Sequence, residues 1–201
     1  MILVTKKAPD FNAPAVLPDG TIVDNFNLYK YSKNTITIIF FWPLDFTFVC
    51  PTEIITFNKY YNHFKKRNVK ILGISCDSQF VHYAWRNTPI NQGGIGNIKF
   101  IMISDIKKNI QKSYGIEHPE LSIALRALFL IDKKGIVRHQ LINDLPFGRN
   151  INEVIRMIDA VEHNEKYGDV CPAQWEKGKK SINPTSKGII NYLSNNINEL
   201  Y

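Results

Sequence analysis

Residues 35–42, TITIIFFW, end in five consecutive large apolar side chains with no polar residue between them. A strand with one wet face would alternate, so this run reads as a strand buried on both faces. A sheet built around it must be covered by helices on either side. Pro43 stops the run far short of the ~20 apolar residues that a membrane helix needs. The next segment, PTEIITFNKYYNHFKKR, places Ile54, Phe57, Tyr61 and Phe64 three and four apart, along one helix face. The alternation repeats. VKILGIS (69–75) predicts a strand, QFVHYAWRNT a helix ending before Pro89, KFIMIS (99–104) a strand, and IKKNIQKSYG a helix with Ile106, Ile110 and Tyr114 four apart. The pattern then changes to LRALFLID and IVRHQLI, which flank Lys133, Lys134 and Gly135 as a hairpin. INEVIRMIDAVEHNEKYG follows as a helix, with Asn150 and Glu153 spaced as a capping pair and Gly168 as its stop. A β-α-β portion, a hairpin and a covering helix predict a three-layer α/β sandwich on a mixed central sheet.

Beyond Gly168 the periodicity is lost until IINYLSNNI, which reads as a short amphipathic helix. The expected organisation is therefore a domain over 1–168 and a C-terminal arm over 169–201. A chain of 201 residues that is 44% hydrophobic can bury one substantial core, so a single domain with an appendage is the economical arrangement.

The balance of 25 basic and 18 acidic residues gives a net charge of +7. The bases are scattered in short groups without interleaved aromatics, which argues against nucleic acid as the partner. The histidines, His82 and His118 among them, show no ligand spacing, and no metal is expected. Cysteines 50, 76 and 171 form an odd set without a C-x-x-C pair, which supports neither a secreted disulfide framework nor a zinc site. An intracellular, reducing compartment fits: cytoplasm, or the mitochondrial matrix if a presequence has been removed. The first residues, MILVTKKAPDF, lack the features of a signal or transit peptide.

The stretch FFWPLDFTFVCPTE (40–53) joins the first long strand to the first good helix. Pro51 suits a first helical turn, where its missing N–H costs nothing. Cys50 then sits at the positive end of that helix, where backbone N–H groups stabilise an anion. Ionisation alone achieves little. Lowering a thiol pKa from about 8.5 to about 6 raises the thiolate fraction roughly thirtyfold at pH 7, but a Brønsted slope of about 0.45 returns roughly tenfold. Polar groups converging on the sulfur are therefore required. Thr47, three residues earlier, and Arg126, which interrupts an apolar strand, are the candidates. The same residues also suit plainer roles, a threonine capping the helix and an arginine snorkelling from a sheet edge. Cys76, at a strand end, reads as a packing thiol.

PLDFTFVCPTE matches the P-x-x-x-T-x-x-C signature of peroxiredoxins, and DVCPAQW (169–175) resembles the resolving-cysteine motif of the typical 2-Cys subgroup. DSQFVHYAW, GGIGN, LRALFLIDKKGIVRH and NDLPFGRN fall in the expected order, so the resemblance spans nearly the full chain. It implies a thioredoxin-like fold and a thiol-dependent peroxidase in antioxidant defence, with no metal, haem or flavin. By the same resemblance Cys50 attacks the hydroperoxide, Thr47 and Arg126 hold its oxygens, and Pro43 shields the pocket. Glu53 and Arg149 steady Arg126, and Cys171 from a partner subunit closes an intersubunit disulfide. Thioredoxin or a similar dithiol is the implied reductant. A homodimer, assembling as a ring of five dimers, is the implied assembly, and a chaperone role for that ring is the alternative activity. A disulfide needs Cα atoms within about 7 Å, so the first turn of the helix and the arm are expected to unfold locally in each cycle. The chain departs from the family at three places. Trp42 stands where tyrosine is common, Ile95 interrupts the usual Gly-Gly-Leu-Gly, and Leu193 replaces the phenylalanine of a C-terminal Tyr-Phe. The loss of that aromatic predicts intermediate sensitivity to over-oxidation.

Overall fold

A computed structural model describes residues 1–197, so the last four residues of the expected arm lie outside the described part. The chain divides into two compact units, Met1–Ile151 and the segment from Asn152 onward, a division that falls one residue into the long helix predicted from Ile151.

The first unit opens with β1 (Asn12–Val16), β2 (Ile22–Asn27) and α1 (Leu28–Ser32), then β3 (Thr37–Phe41), α2 (Cys50–Lys59), α3 (Tyr61–Lys66) and β4 (Lys70–Ser75). It continues with α4 (Gln79–Asn87), β5 (Ile101–Ser104), α5 (Asn109–Ser113), β6 (Arg126–Ile131) and β7 (Val137–Asn143). The sheet order is β2-β1-β5-β4-β3-β6-β7. β3 runs parallel to β4 and antiparallel to β6, so the sheet is mixed, as the alternation predicted.

Every residue of β3 is buried, because helices cover both sheet faces. On one face Ile39, Phe41, Leu72, Ile74, Ile103 and Phe129 pack with Leu28 of α1, Ile110 of α5 and Tyr114. On the other, Phe40 stacks on Phe57 of α2 at 4.1 Å, and Phe57 in turn lies 6.0 Å from Phe64 of α3. Gly73 of β4 is required here: a Cβ would lie 2.7 Å from the Trp42 ring and 3.0 Å from Phe40. Truncating a core phenylalanine such as Phe57 costs about 3–5 kcal/mol.

Three local features differ from the sequence reading. The predicted helix after Pro51 is interrupted at Tyr60, which ends α2 and caps α3. α5 begins later than Ile106 suggests, because the Asp105 carboxylate accepts from the N–H groups of Ile110 and Gln111 and sets the helix start. The β1–β2 pair has no counterpart in the prediction, since NAPAV offers neither length nor β-branched density.

The second unit contains α7 (Ser186–Asn196) and all of α6 (Ile151–Tyr167) but its first residue. Gly168 ends α6 at a φ of 73°, the left-handed conformation that favours glycine. Thr185 caps α7 by accepting from the Gly188 N–H. Between the helices, Val170 and Ile182 exchange two backbone hydrogen bonds of 2.9 Å.

Candidate active site

The antiparallel register Phe40↔Leu128 carries Arg126 to the level of Trp42, where β3 releases the chain into the cysteine turn. Cys50 begins α2 with Pro51 in the first turn, as the sequence suggested. Its side chain is fully buried, at 0% exposure. Two donors converge on it. The Thr47 hydroxyl lies 2.8 Å from the sulfur and 2.9 Å from the Leu44 carbonyl, and the Arg126 Nη1 lies 3.4 Å from the sulfur. Neither plainer role holds: α2 has no side-chain cap, and Arg126 is buried.

Arg126 is held from three sides. Its Nε donates to the Leu145 carbonyl at 2.6 Å, and its Nη1 divides between the sulfur and Glu53 Oε2, the latter at 2.9 Å. Glu53, one turn into α2, also accepts from Arg149 Nε at 2.7 Å, from Nη2 at 2.8 Å and from the Arg149 backbone N–H at 2.9 Å. Arg149 Nη1 donates to the Ala127 carbonyl, beside Arg126, at 2.6 Å. Burial alone would raise the Glu53 carboxyl; the charge and hydrogen bonds of Arg149, with the charge of Arg126, overcome it and hold the group below its ordinary value. Two guanidinium groups and one carboxylate leave the buried cluster one positive charge in excess.

The turn before the cysteine is strained. Phe46 adopts φ 53°, a left-handed conformation that costs a non-glycine residue about 1–2 kcal/mol. The reversal sends the Asp45 side chain inward and leaves Thr47 beside the sulfur. Pro43 is buried at the head of the turn, and its carbonyl accepts from the Cys76 thiol at 3.4 Å. Burial, reinforced by the neighbouring Asp77 charge, pushes the Cys76 thiol up to about 11, which keeps it protonated and suits a packing role. The Trp42 indole does not turn toward the sulfur. Its N–H donates to Asp45 Oδ1 at 2.8 Å, and Asp45 Oδ2 lies 2.7 Å from His82 Nδ1. Sequence reading passes over Asp45 and gives His82 no role; an isolated aspartate and histidine carry no spacing signal.

Cys171 is half-buried in the second unit, with its thiol 3.7 Å from the Ala160 carbonyl. Burial raises this thiol, opposed by the charge of Arg156. Among the described residues no group of His, Cys, Asp and Glu is placed to hold a metal ion, and no helix is long and apolar enough to cross a membrane.

A buried cysteine at a helix start, facing a hydroxyl and a guanidinium at the strand ends in the interior of a mixed sheet, defines a thioredoxin-like cysteine enzyme. Residues 4–140 match the AhpC/TSA family, and residues 160–195 match the C-terminal domain of 1-Cys peroxiredoxin. The chain is 62% identical to alkyl hydroperoxide reductase C of Buchnera aphidicola subsp. Schizaphis graminum, over 96% of this chain and 98% of that protein. It is 47% identical to peroxiredoxin-1 of Gallus gallus, over 95% of each. Its backbone superposes on the reduced 2-Cys peroxiredoxin of Plasmodium vivax with a TM-score of 0.93 at 48% identity, covering 96% of this chain and 100% of that one. The chain therefore belongs to the AhpC/TSA family, within its 2-Cys peroxiredoxin branch.

Proposed function

We propose that the chain reduces hydrogen peroxide and organic hydroperoxides with Cys50 as the nucleophile. The thiolate attacks one peroxide oxygen, the O–O bond breaks, and the departing oxygen leaves as water or an alcohol after taking a proton. Cys50 is left as a sulfenic acid. Thr47 and Arg126 hold the oxygens in line and stabilise the charge that develops on them, while Pro43 keeps bulk water from the pocket. The Thr47 hydroxyl has one proton to give. With a neutral sulfur it donates to Leu44, and with a thiolate it turns to the sulfur, so the same 2.8 Å and 2.9 Å contacts serve both states. Glu53 and Arg149 act through Arg126, fixing its plane.

The arm from residue 169 carries the second half of the cycle. The partner subunit's Cys171 condenses with the sulfenic acid, forming a disulfide and releasing water, and thioredoxin or a similar dithiol protein reduces that bond. Because Cys50 is fully buried, its turn must open before a second thiol reaches the sulfur. Dimers assemble into a ring of five. An intracellular reducing compartment supplies the dithiol.

The convergence of Thr47 and Arg126 on one buried sulfur carries this reading. Stopped-flow mixing with hydrogen peroxide followed by non-reducing electrophoresis tests it. Rapid oxidation with a dimer band is expected, with the band absent in Cys171→Ser and all oxidation absent in Cys50→Ser. Peroxide consumption that survives Cys50→Ser would overturn it.

A further inference from the structure

The end of the sheet opposite Cys50 gathers bases that lie far apart in sequence. β6 runs from Arg126, at the sulfur, to Ile131, a strand length of about 17 Å away, and the chain then turns through Lys133, Lys134 and Gly135 into β7. Lys7 is bridged to Ile136 beside that turn, where the Gly135 carbonyl accepts from the Ala8 N–H at 2.9 Å. The Tyr29 hydroxyl donates to the Ala8 carbonyl at 2.6 Å and ties α1 to the same segment, which brings Lys33, the residue that ends α1, alongside. Lys7, Lys33, Lys133 and Lys134 thus line one cleft of about 190 Å³, together with Ser32 and Asn34. No carboxylate lines it.

The acceptors around the cleft are already engaged. Asp132 Oδ1 accepts from the N–H groups of Lys134 and Ile136, both at 2.9 Å, and its Oδ2 pairs with Arg138. Asp10 accepts from the Asn27 side chain and from the Tyr29 N–H. Lysines near a helix end often serve its last carbonyls, but at α1 those have other donors. Tyr31 accepts from Lys70 Nζ, Ser32 from the Thr35 N–H at 3.0 Å, and Lys33 from the Thr35 hydroxyl at 3.1 Å. Among the described residues none of the four cleft ammonium groups has a hydrogen-bond or ion-pair partner of its own. Four like charges around one small cleft repel each other, and an anion between them removes that repulsion.

We propose that Lys7, Lys33, Lys133 and Lys134 bind a ligand through two or three linked phosphoryl groups, the chemistry shared by inorganic polyphosphate and by nucleoside di- and triphosphates. A single phosphate ester carries at most about two negative charges and leaves half of the lysine charge unmatched, whereas a longer phosphate chain matches it. The cleft is smaller than the roughly 300–1,000 Å³ of pockets that enclose a drug-sized body, so it suits an ionic group whose remainder stays outside. Lysine is a compact point charge on a flexible stem and can follow a phosphate chain without fixed geometry. The Ser32 hydroxyl and the Asn34 amide add neutral donors to the lining. Because the cleft and Cys50 lie at opposite ends of β6, the ligand does not compete with peroxide. The inference goes beyond peroxide reduction and stands or falls without it.

Isothermal titration calorimetry of the full chain with sodium tripolyphosphate, ATP and adenosine, without divalent cations, tests it. Tripolyphosphate should bind at one site per chain, with affinity falling at least about tenfold between about 50 mM and about 300 mM salt. Lys33→Gln combined with Lys134→Gln should weaken binding by about tenfold or more. Lys59→Gln combined with Lys187→Gln removes the same charge from exposed positions elsewhere and should leave the affinity within about twofold. ATP binding more tightly than tripolyphosphate assigns the cleft to a nucleotide, and tripolyphosphate binding as tightly or more tightly assigns it to the phosphate chain alone. Three results overturn the proposal: no saturable binding of tripolyphosphate below about 1 mM, equal losses in the two double variants, or adenosine binding as tightly as ATP.

Discussion

Cys50 and Cys171 are the same side chain in opposite surroundings. Cys50 is wholly buried at the start of a regular helix, and the partners on and behind its sulfur come from remote sequence: Arg126 is 76 residues away, and Glu53 joins to Arg149 across 96. Cys171 is partly exposed in an irregular segment, with one weak contact to Ala160, 11 residues away, and a two-bond bridge between Val170 and Ile182 beside it. Their electrostatics differ as well. The cluster around Cys50 carries an excess positive charge, whereas burial outweighs Arg156 at Cys171 and favours the neutral thiol. One sulfur is gripped from remote sequence by a hydroxyl and a guanidinium. The other is held by few contacts among the described residues, which makes local opening there cheaper.

Arg126→Ala strikes this contrast hardest. It removes the donor on the sulfur and leaves Glu53 with one guanidinium instead of two, so the oxidation rate by hydrogen peroxide should fall about 10²–10³-fold. A reduction smaller than threefold would mean that the guanidinium is not what distinguishes the two cysteines. Glu53→Gln comes next. It preserves shape but leaves two buried guanidinium groups without their counter-charge, a loss of about 3–5 kcal/mol in unfolding free energy. The pH dependence has a definite sign. Because Glu53 is held below its ordinary 4.5, its contribution is fully present above that value and is lost as pH falls from there through the folded-state pKa. Denaturant melts of the unmodified protein should therefore lose stability more steeply below about pH 4.5 than those of Glu53→Gln. Leu193→Phe acts on the other side of the comparison. Leu193 is 39% exposed on α7, and restoring the aromatic that the family resemblance expects there adds a packing contact of about 0.5–1.5 kcal/mol, roughly two- to tenfold in an opening equilibrium. Titration with excess peroxide, read by the mass of the sulfinic form, should show the variant inactivated at lower peroxide. An unchanged titration would detach α7 from the fate of Cys50.

Much of the frame was legible beforehand because its signals are local. TITIIFFW announces a strand buried on both faces, Ile54, Phe57 and Phe64 announce the face of α2 and α3, and Pro51 marks the helix start that places Cys50. The hairpin around Gly135 was equally plain, and there Asp132 Oδ1 accepts from the N–H groups of Lys134 and Ile136. The β1–β2 pair was not, since a five-residue strand with an internal proline has too little pattern to stand out. Trp42 shows the limit for single side chains: its type was noted, but the direction of its N–H depends on Asp45 and His82, which meet it only in the folded chain.

What the amino-acid order settled by itself was a cysteine at the mouth of a helix, following a strand buried on both sides, because hydrophobic period and proline stereochemistry act over a few residues. Only the tertiary structure decided which charges stand around that sulfur and what holds its turn in a strained shape. Antiparallel pairing of β3 with β6 delivers Arg126, and the packing of α4 brings His82 to Asp45. Hydrogen bonds and charges of this kind are governed by distance in space, and distance in space is fixed only once the core has packed.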